Sequence, residues 1–239
     1  MALFSMAPLF NHRAMSVRIR ILLALLMSLT FAQLLPQSPQ VSPISFTGVL
    51  LTIEQVFFGI LLGLMLQLVF TTFNMIGEII STQMGMAMAR YNDPTNGVSS
   101  SSVVYQIYFV LLIFLLLTID GHLLMVSILY QSFVYWPVGS GLLTFDPSFL
   151  LIAMGWMFSA AVLITLPVVF CMTLVQFTFG LLNRISPSMN LFSLGFPITI
   201  LMGLFCIYIT LPNMAEAYMR LTQDLLTNLG VIFVETQRG

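Results

Sequence analysis

Leu182-Asn183-Arg184-Ile185-Ser186-Pro187-Ser188-Met189-Asn190-Leu191-Phe192-Ser193-Leu194-Gly195-Phe196-Pro197 separates two long apolar runs. It sets a cation, prolines, a glycine and two asparagines in the most apolar part of the chain. Backbone N–H and C=O groups freed in hydrocarbon cost several kcal/mol each, so such a break survives only when buried in protein or lining a wet cavity. The stretch therefore reads as a structural elbow inside an assembly, built on Asn183, Arg184, Pro187, Asn190, Gly195 and Pro197, and not as a plain lipid-spanning helix. Arg184, buried there, needs a carboxylate or carbonyl partner and reads as an anchor.

The flanks support this reading. Ser148 to Leu182 is 35 residues without a charge. As one helix it would run ~52 Å against a hydrocarbon core of ~30 Å, with Pro167 kinking its middle. Downstream, Ile198 to Leu211 is apolar and is expected to end at Pro212. In residues 213–239 the tail becomes an amphipathic helix, with Met214, Tyr218, Leu221, Leu225, Leu229 and Ile232 on one stripe. Glu216, Arg220 and Asp224 can pair along the opposite face. Counting every apolar run as a crossing puts Arg184 on the side opposite Arg13, Arg18 and Arg20, against the positive-inside trend. A simple serpentine membrane protein does not fit.

Composition bounds the class. Of 239 residues, 59% are apolar and 6% charged, against roughly 25% charged in soluble domains. The chain is an integral membrane protein or a subunit of a membrane-embedded assembly. Its net charge of −1 and sparse arginines exclude a nucleic-acid surface, which needs clustered cations. Cys171 and Cys206 lie in separate runs and read as small hydrophobes; a disulfide or metal role would require them to meet.

Met1 to Phe10 is apolar but too short to span. The arginine cluster follows it, so it reads as the tail of a longer hydrophobic segment and not as a signal peptide. Gln33 to Gly48 is a proline-bearing connector, and Val49 to Phe73 suits a spanning helix with Glu54 near its start. A different texture begins at Phe73: Gly77, Ser81, Gly85 and Ala89 recur every four residues, and Gly59 and Gly63 repeat the pattern upstream. Small-xxx-small stripes let helices approach closely. Tyr91 to Gly97, with Asp93-Pro94, breaks the helix, and Ser99 to Ser102 follow as a flexible loop. Val103–Thr118 and Leu123–Tyr135 are expected to form a helical hairpin at Asp120-Gly121.

Candidate chemistry is thin. Glu54 and Glu78 could relay protons, though capping, pairing or exposure is the preferred reading. Asp120 and His122 are two ligands at most, and a turn cap with a polar His is favoured. No nucleophile constellation surrounds the serines and no Walker motif is present, so no catalytic, metal or cofactor residue is assigned and no enzyme activity is expected. Met75, Met84, Met86 and Met88 fill irregular space in either a packed core or a mobile seal. The competing functional class is a small-solute or ion transporter using Glu54, Glu78, Asp120 and His122.

Several words occur together in order: Ala7-Pro8-Leu9-Phe10 before the arginines, Gly77-Glu78 through Gln83-Met84-Gly85 to Asp93-Pro94, Gly121-His122-Leu123, and finally Leu182 to Pro197. They resemble the FliR/SctT family of type III secretion export gates, closer to the flagellar branch. About half of that family's first helix has no counterpart here. The resemblance implies one all-α domain over residues 1–239, with long kinked helical hairpins stacking beside FliP and FliQ in a helical assembly that this subunit closes. It implies FlhB and FlhA as neighbours, transient unfolded export substrates, energy supplied by other components, and a place in the bacterial inner membrane at the flagellar basal body, with much of the assembly above the bilayer plane. The family's plug loop falls on residues 84–101, giving Met84, Gly85, Met86, Met88, Arg90, Asp93 and Pro94 a gating role. Gly59, Gly63, Gly77, Ser81 and Ala89 then serve helix packing.

Overall fold

The computed structural model describes residues 1–8, 10, 16–34, 42, 44–86, 102–135, 137–139, 148–185 and 191–235, and among them all regular structure is helical. The helices are α1 (Ala2–Met6), α2 (Val17–Leu34), α3 (Phe46–Gln83), α4 (Val103–Thr118), α5 (Gly121–Tyr135), α6 (Ser148–Ile185) and α7 (Leu191–Glu235). Four of them are long and apolar enough to cross a membrane, or five spans if α4 and α5 count as one broken span.

The chain forms two compact units, each built from segments distant in sequence. One comprises Met1–Phe70, Leu115–Met154 and Leu221–Gly239; the other comprises Thr71–Phe114 and Gly155–Arg220. In the first, α3 buries Phe58, Leu61, Leu62, Met65, Leu66 and Val69, spaced three and four apart as one helix face requires. Glycines let α1 lie directly on this helix. A Cβ at Gly59 would stand 2.9 Å from Ala2 Cβ, and one at Gly63 would stand 2.7 Å from Met6 Cβ and 2.9 Å from the Leu3 carbonyl oxygen. Arg20 Nη2 donates to the Phe10 carbonyl at 2.6 Å, so Arg18 and Arg20 belong to the first turns of α2 and not to a preceding loop. Farther along α2, Phe31 is buried against Tyr130 and Phe133 of α5, with ring centroids 5.9 and 6.2 Å away.

In the second unit, Phe73, Ile76, Ile80 and Met84 continue the buried face of α3, with Val104, Tyr108 and Leu112 of α4, Val168 and Met172 of α6, and Ile207, Met214 and Tyr218 of α7. A Cβ at Gly77 would come within 2.9 Å of Tyr105 Cα, so α4 approaches α3 backbone to backbone. Ser81 on the same stripe is fully buried.

Three expectations change here. The textural break at Phe73 is not a helix break: α3 is continuous from Phe46 to Gln83, ~57 Å at 1.5 Å per residue. Glycine lowers helix propensity, yet Gly77 sits where α4 packs backbone to backbone and the helix runs on. The α4–α5 junction is a 71° bend, shallower than the expected fold-back. Asp120, at φ 53°, gives its carbonyl to the N–H groups of Leu123 and Leu124, so α5 starts straight after the two-residue junction Ile119-Asp120. Finally, α7 does not stop at Pro212 but contains both Pro197 and Pro212.

The buried stripe Met214, Tyr218, Leu221 and Leu225 carries α7 past Pro212, and the proline sits in a word that occurs twice. Ile164-Thr165-Leu166-Pro167 in α6 and Ile209-Thr210-Leu211-Pro212 in α7 are the same four residues. Each proline lacks an N–H and crowds the carbonyl four residues back. Each threonine places its hydroxyl on carbonyls of the preceding turn: Thr165 Oγ1 donates to Ala161 at 2.8 Å and Val162 at 3.1 Å, Thr210 Oγ1 to Cys206 at 3.0 Å and Ile207 at 3.1 Å. These carbonyls are not the ones the prolines free, which belong to Leu163 and Tyr208, so the hydroxyls bend the helix beside each proline without replacing the lost bond.

Candidate functional site

The end of α3 gathers more of the sequence-selected residues than any other place. The last four carbonyls of a helix have no partner within it, and here neighbouring helices supply them. Gln176 Nε2 of α6 donates to the Gln83 carbonyl at 2.8 Å, and Thr199 Oγ1 of α7 donates to the Met84 carbonyl at 3.3 Å. The Met84 side chain is almost fully buried and lies on Gly203 of α7. Gly85 takes φ 77°, a conformation that favours glycine, and faces the Phe196 ring, 3.7 Å from where a Cβ would sit. Met86 follows, half-buried. Met88, Ala89, Arg90, Asp93 and Pro94 lie outside the described residues.

The carboxylates hold backbone. Glu54 is buried and its Oε1 accepts from the Gly139 N–H at 3.3 Å. Glu78 Oε1 accepts from the Ser102 N–H at 3.3 Å, while Ser102 Oγ accepts from the Tyr105 N–H at 3.0 Å. Ser102 is thus the N-cap of α4 and not a loop serine. His122 buries its Nδ1 beside the Asp120 turn. Among the described residues no three His, Cys, Asp or Glu side chains converge as a metal site would require.

Two readings of the sequence need revision. Cys171 and Cys206 do meet: the Cys206 thiol lies within hydrogen-bonding reach of Cys171, both are free, and only Cys206 is buried. Arg184 is exposed in the last turn of α6 beside exposed Asn183. There a cation complements the negative end of the helix dipole and needs no buried partner. Pro187 and Asn190 lie outside the described residues, while Gly195 and Pro197 sit within α7.

Between α3, α4, α6 and α7 of the second unit lies a mostly apolar cavity of about 240 Å³. Phe73, Ile80, Pro167 and Met214 line it, Tyr108 and Thr210 bring hydroxyls within reach of each other, and Glu216 and Arg220 stand at its polar end. Glu216 and Arg220 form an exposed pair at 3.1 Å, a contact of small energetic weight.

Sequence reasoning missed Gly203, Thr199 and Gln176. Their signal was present, since an isolated glycine or a lone polar side chain in an apolar helix marks a close approach or an interhelical hydrogen bond.

The architecture is therefore a set of long apolar helices tied together at backbone amides and small residues, with a framed exit from α3. The profile of the family described as "Bacterial export proteins, family 1" matches residues 1–225. The chain belongs to that family. Relatives carrying the name "Flagellar biosynthetic protein FliR" agree over nearly the whole length. One from Pectobacterium carotovorum subsp. carotovorum is 36% identical, covering 96% of this chain and 90% of the relative. One from Buchnera aphidicola subsp. Baizongia pistaciae is 34% identical, covering 89% and 82%. One from Escherichia coli strain K12 is 30% identical, covering 98% and 90%. As a member of the bacterial export proteins, the chain is a membrane-embedded export component, and four of its described helices are long and apolar enough to cross a membrane.

Proposed function

We propose that this chain is a subunit of the flagellar type III export gate in the bacterial inner membrane. With FliP and FliQ it forms a gated conduit for unfolded flagellar proteins, with FlhB and FlhA as neighbours. It closes the assembly and supplies a plug-like segment over residues 84–101. The observation that carries this reading is agreement with FliR relatives across nearly the full chain. The helices support it: α6 is ~57 Å long, far beyond a ~30 Å hydrocarbon core. It exposes Leu151, Phe158, Leu163, Phe170 and Phe177 along its length, so part of its apolar surface needs protein as cover. The transporter alternative gains nothing from the carboxylates, because Glu54 and Glu78 each accept a backbone N–H.

Two measurements test the proposal. The tagged chain should co-purify with FliP and FliQ, and deleting Met86 to Asn96 should make the assembled gate leak ions. Unchanged conductance with intact assembly would remove the plug assignment. Solute flux by the purified chain alone would favour a transporter.

A further inference from the structure

We propose that Gly203, Thr199 and Gln176 form a seat that fixes the C-terminal end of α3, making Met84 the stationary root of the gating segment. This deepens the plug reading and rests on it.

The seat is built from four contacts within one unit. A Cβ at position 203 would fall on Met84 Cγ and come within 2.6 Å of Sδ and 2.9 Å of Cε, so only glycine leaves room for the methionine. The space is used fully, since Met84 is 1% exposed. The carbonyls of Gln83 and Met84, orphaned by the end of the helix, are taken by Gln176 and Thr199. Gly85 turns the chain away through its left-handed conformation, with Phe196 against it.

These contacts hold both the side chain and the main chain at one point. A flexible methionine alone re-packs easily; a methionine whose own carbonyl and whose neighbour's are bonded to two other helices does not. The seat thus fixes the chain as far as Gly85. Gly203, Thr199 and Gln176 are positioning residues that act through Met84, and the prediction concerns where the segment starts.

The test uses the complete gate with FliP and FliQ in native membranes. Gly203→Val should displace Met84 and raise resting ion leak about tenfold, the order of shift that overpacking produces in a two-state equilibrium. Adding Met84→Ala, which frees the volume valine occupies, should return the leak to near the wild-type level, a rescue that assigns the leak to the Met84 contact and not to an effect of valine on α7 itself. An assembled Gly203→Val gate that stays tight, or a double variant leaking as much as the single one, would overturn the seat. Should Gly203→Val fail to assemble, Thr199→Val with Gln176→Leu removes only hydrogen bonds and is expected to raise the leak likewise; a tight gate there would also overturn it. The Met86–Asn96 deletion separates the two ideas. A leaking deletion with tight seat variants leaves the plug reading standing without the seat, whereas a tight deletion removes both.

Discussion

Gly77→Ala and Gly155→Ala are the same chemical change in two helices and should move stability in opposite directions. Replacing a helix-interior glycine by alanine gains about 1 kcal/mol when nothing opposes it. Nothing lies within 4 Å of a Cβ at Gly155, so that gain stands. At Gly77 the Cβ would stand 2.9 Å from Tyr105 Cα and 3.1 Å from its nitrogen, where carbon contacts settle at ~3.5–4.0 Å. The opposing atoms are backbone and cannot rotate away. The Tyr105 N–H is also held by the Ser102 cap at 3.0 Å, so α4 must retreat by at least about 0.6 Å. Overpacking of this kind costs about 1–3 kcal/mol. After the helix-propensity gain the net loss is about 0–2 kcal/mol, and the two variants should differ by about 1–3 kcal/mol. For a chain of this size that is a difference in Tm of about 2–12 °C, measurable by thermal unfolding of the purified protein in detergent. A Gly77→Ala protein stabilised as much as Gly155→Ala would refute the backbone-to-backbone contact.

Other substitutions test separate contacts. Glu54→Gln keeps an acceptor for the Gly139 N–H and should cost little, whereas Glu54→Leu should lower stability by about 1–3 kcal/mol; equal effects in thermal unfolding would contradict the tether. Phe31→Ala empties the aromatic contact between α2 and α5 and should cost about 3 kcal/mol. Faster tryptic cleavage at Arg18 and Arg20 would report the released helix, and an unchanged rate would mean α2 is held elsewhere. Thr210→Val removes the hydroxyl from the Cys206 and Ile207 carbonyls and should straighten α7 near Pro212. Spin-label distances across that segment would register the change, and an unaltered distance would assign its shape to the proline alone.

The elements legible in the sequence were those whose signal is local. A 35-residue apolar run with Pro167 inside it became α6, and the amphipathic spacing of Met214, Tyr218, Leu221 and Leu225 became a buried stripe. What failed depended on neighbours. Gly77 and Ser81 looked like the start of a new segment because composition changes there, but what changes is the partner, from α1 at Gly59 and Gly63 to α4 at Gly77. Arg184 looked buried because its surroundings are apolar, and periodicity cannot say which side of α6 faces outward. Pro212 read as a stop because the proline rule is local, whereas the burial of Met214, Tyr218 and Leu221 beyond it carries the helix on. At the end of α3, Met84 and Gly85 were legible as special residues. The helices that frame them were not, since Gln176 and Thr199 lie 93 and 115 residues further on.

The repeated Ile-Thr-Leu-Pro word makes the cavity of the second unit difficult to eliminate. Facing walls made of two regular helices could slide together until a void disappeared. Walls interrupted by Pro167 and Pro212 are not regular, and about 240 Å³ lies open beside Pro167 and Thr210. The Glu216–Arg220 end of the cavity opens to solvent, so a small apolar compound can enter without the helices parting. A guest bound only to the folded state adds about 2.7 kcal/mol at a hundred times its Kd. A small apolar compound lodged between these helices would therefore announce itself as a thermal stabiliser well before anyone saw it inhibit transport.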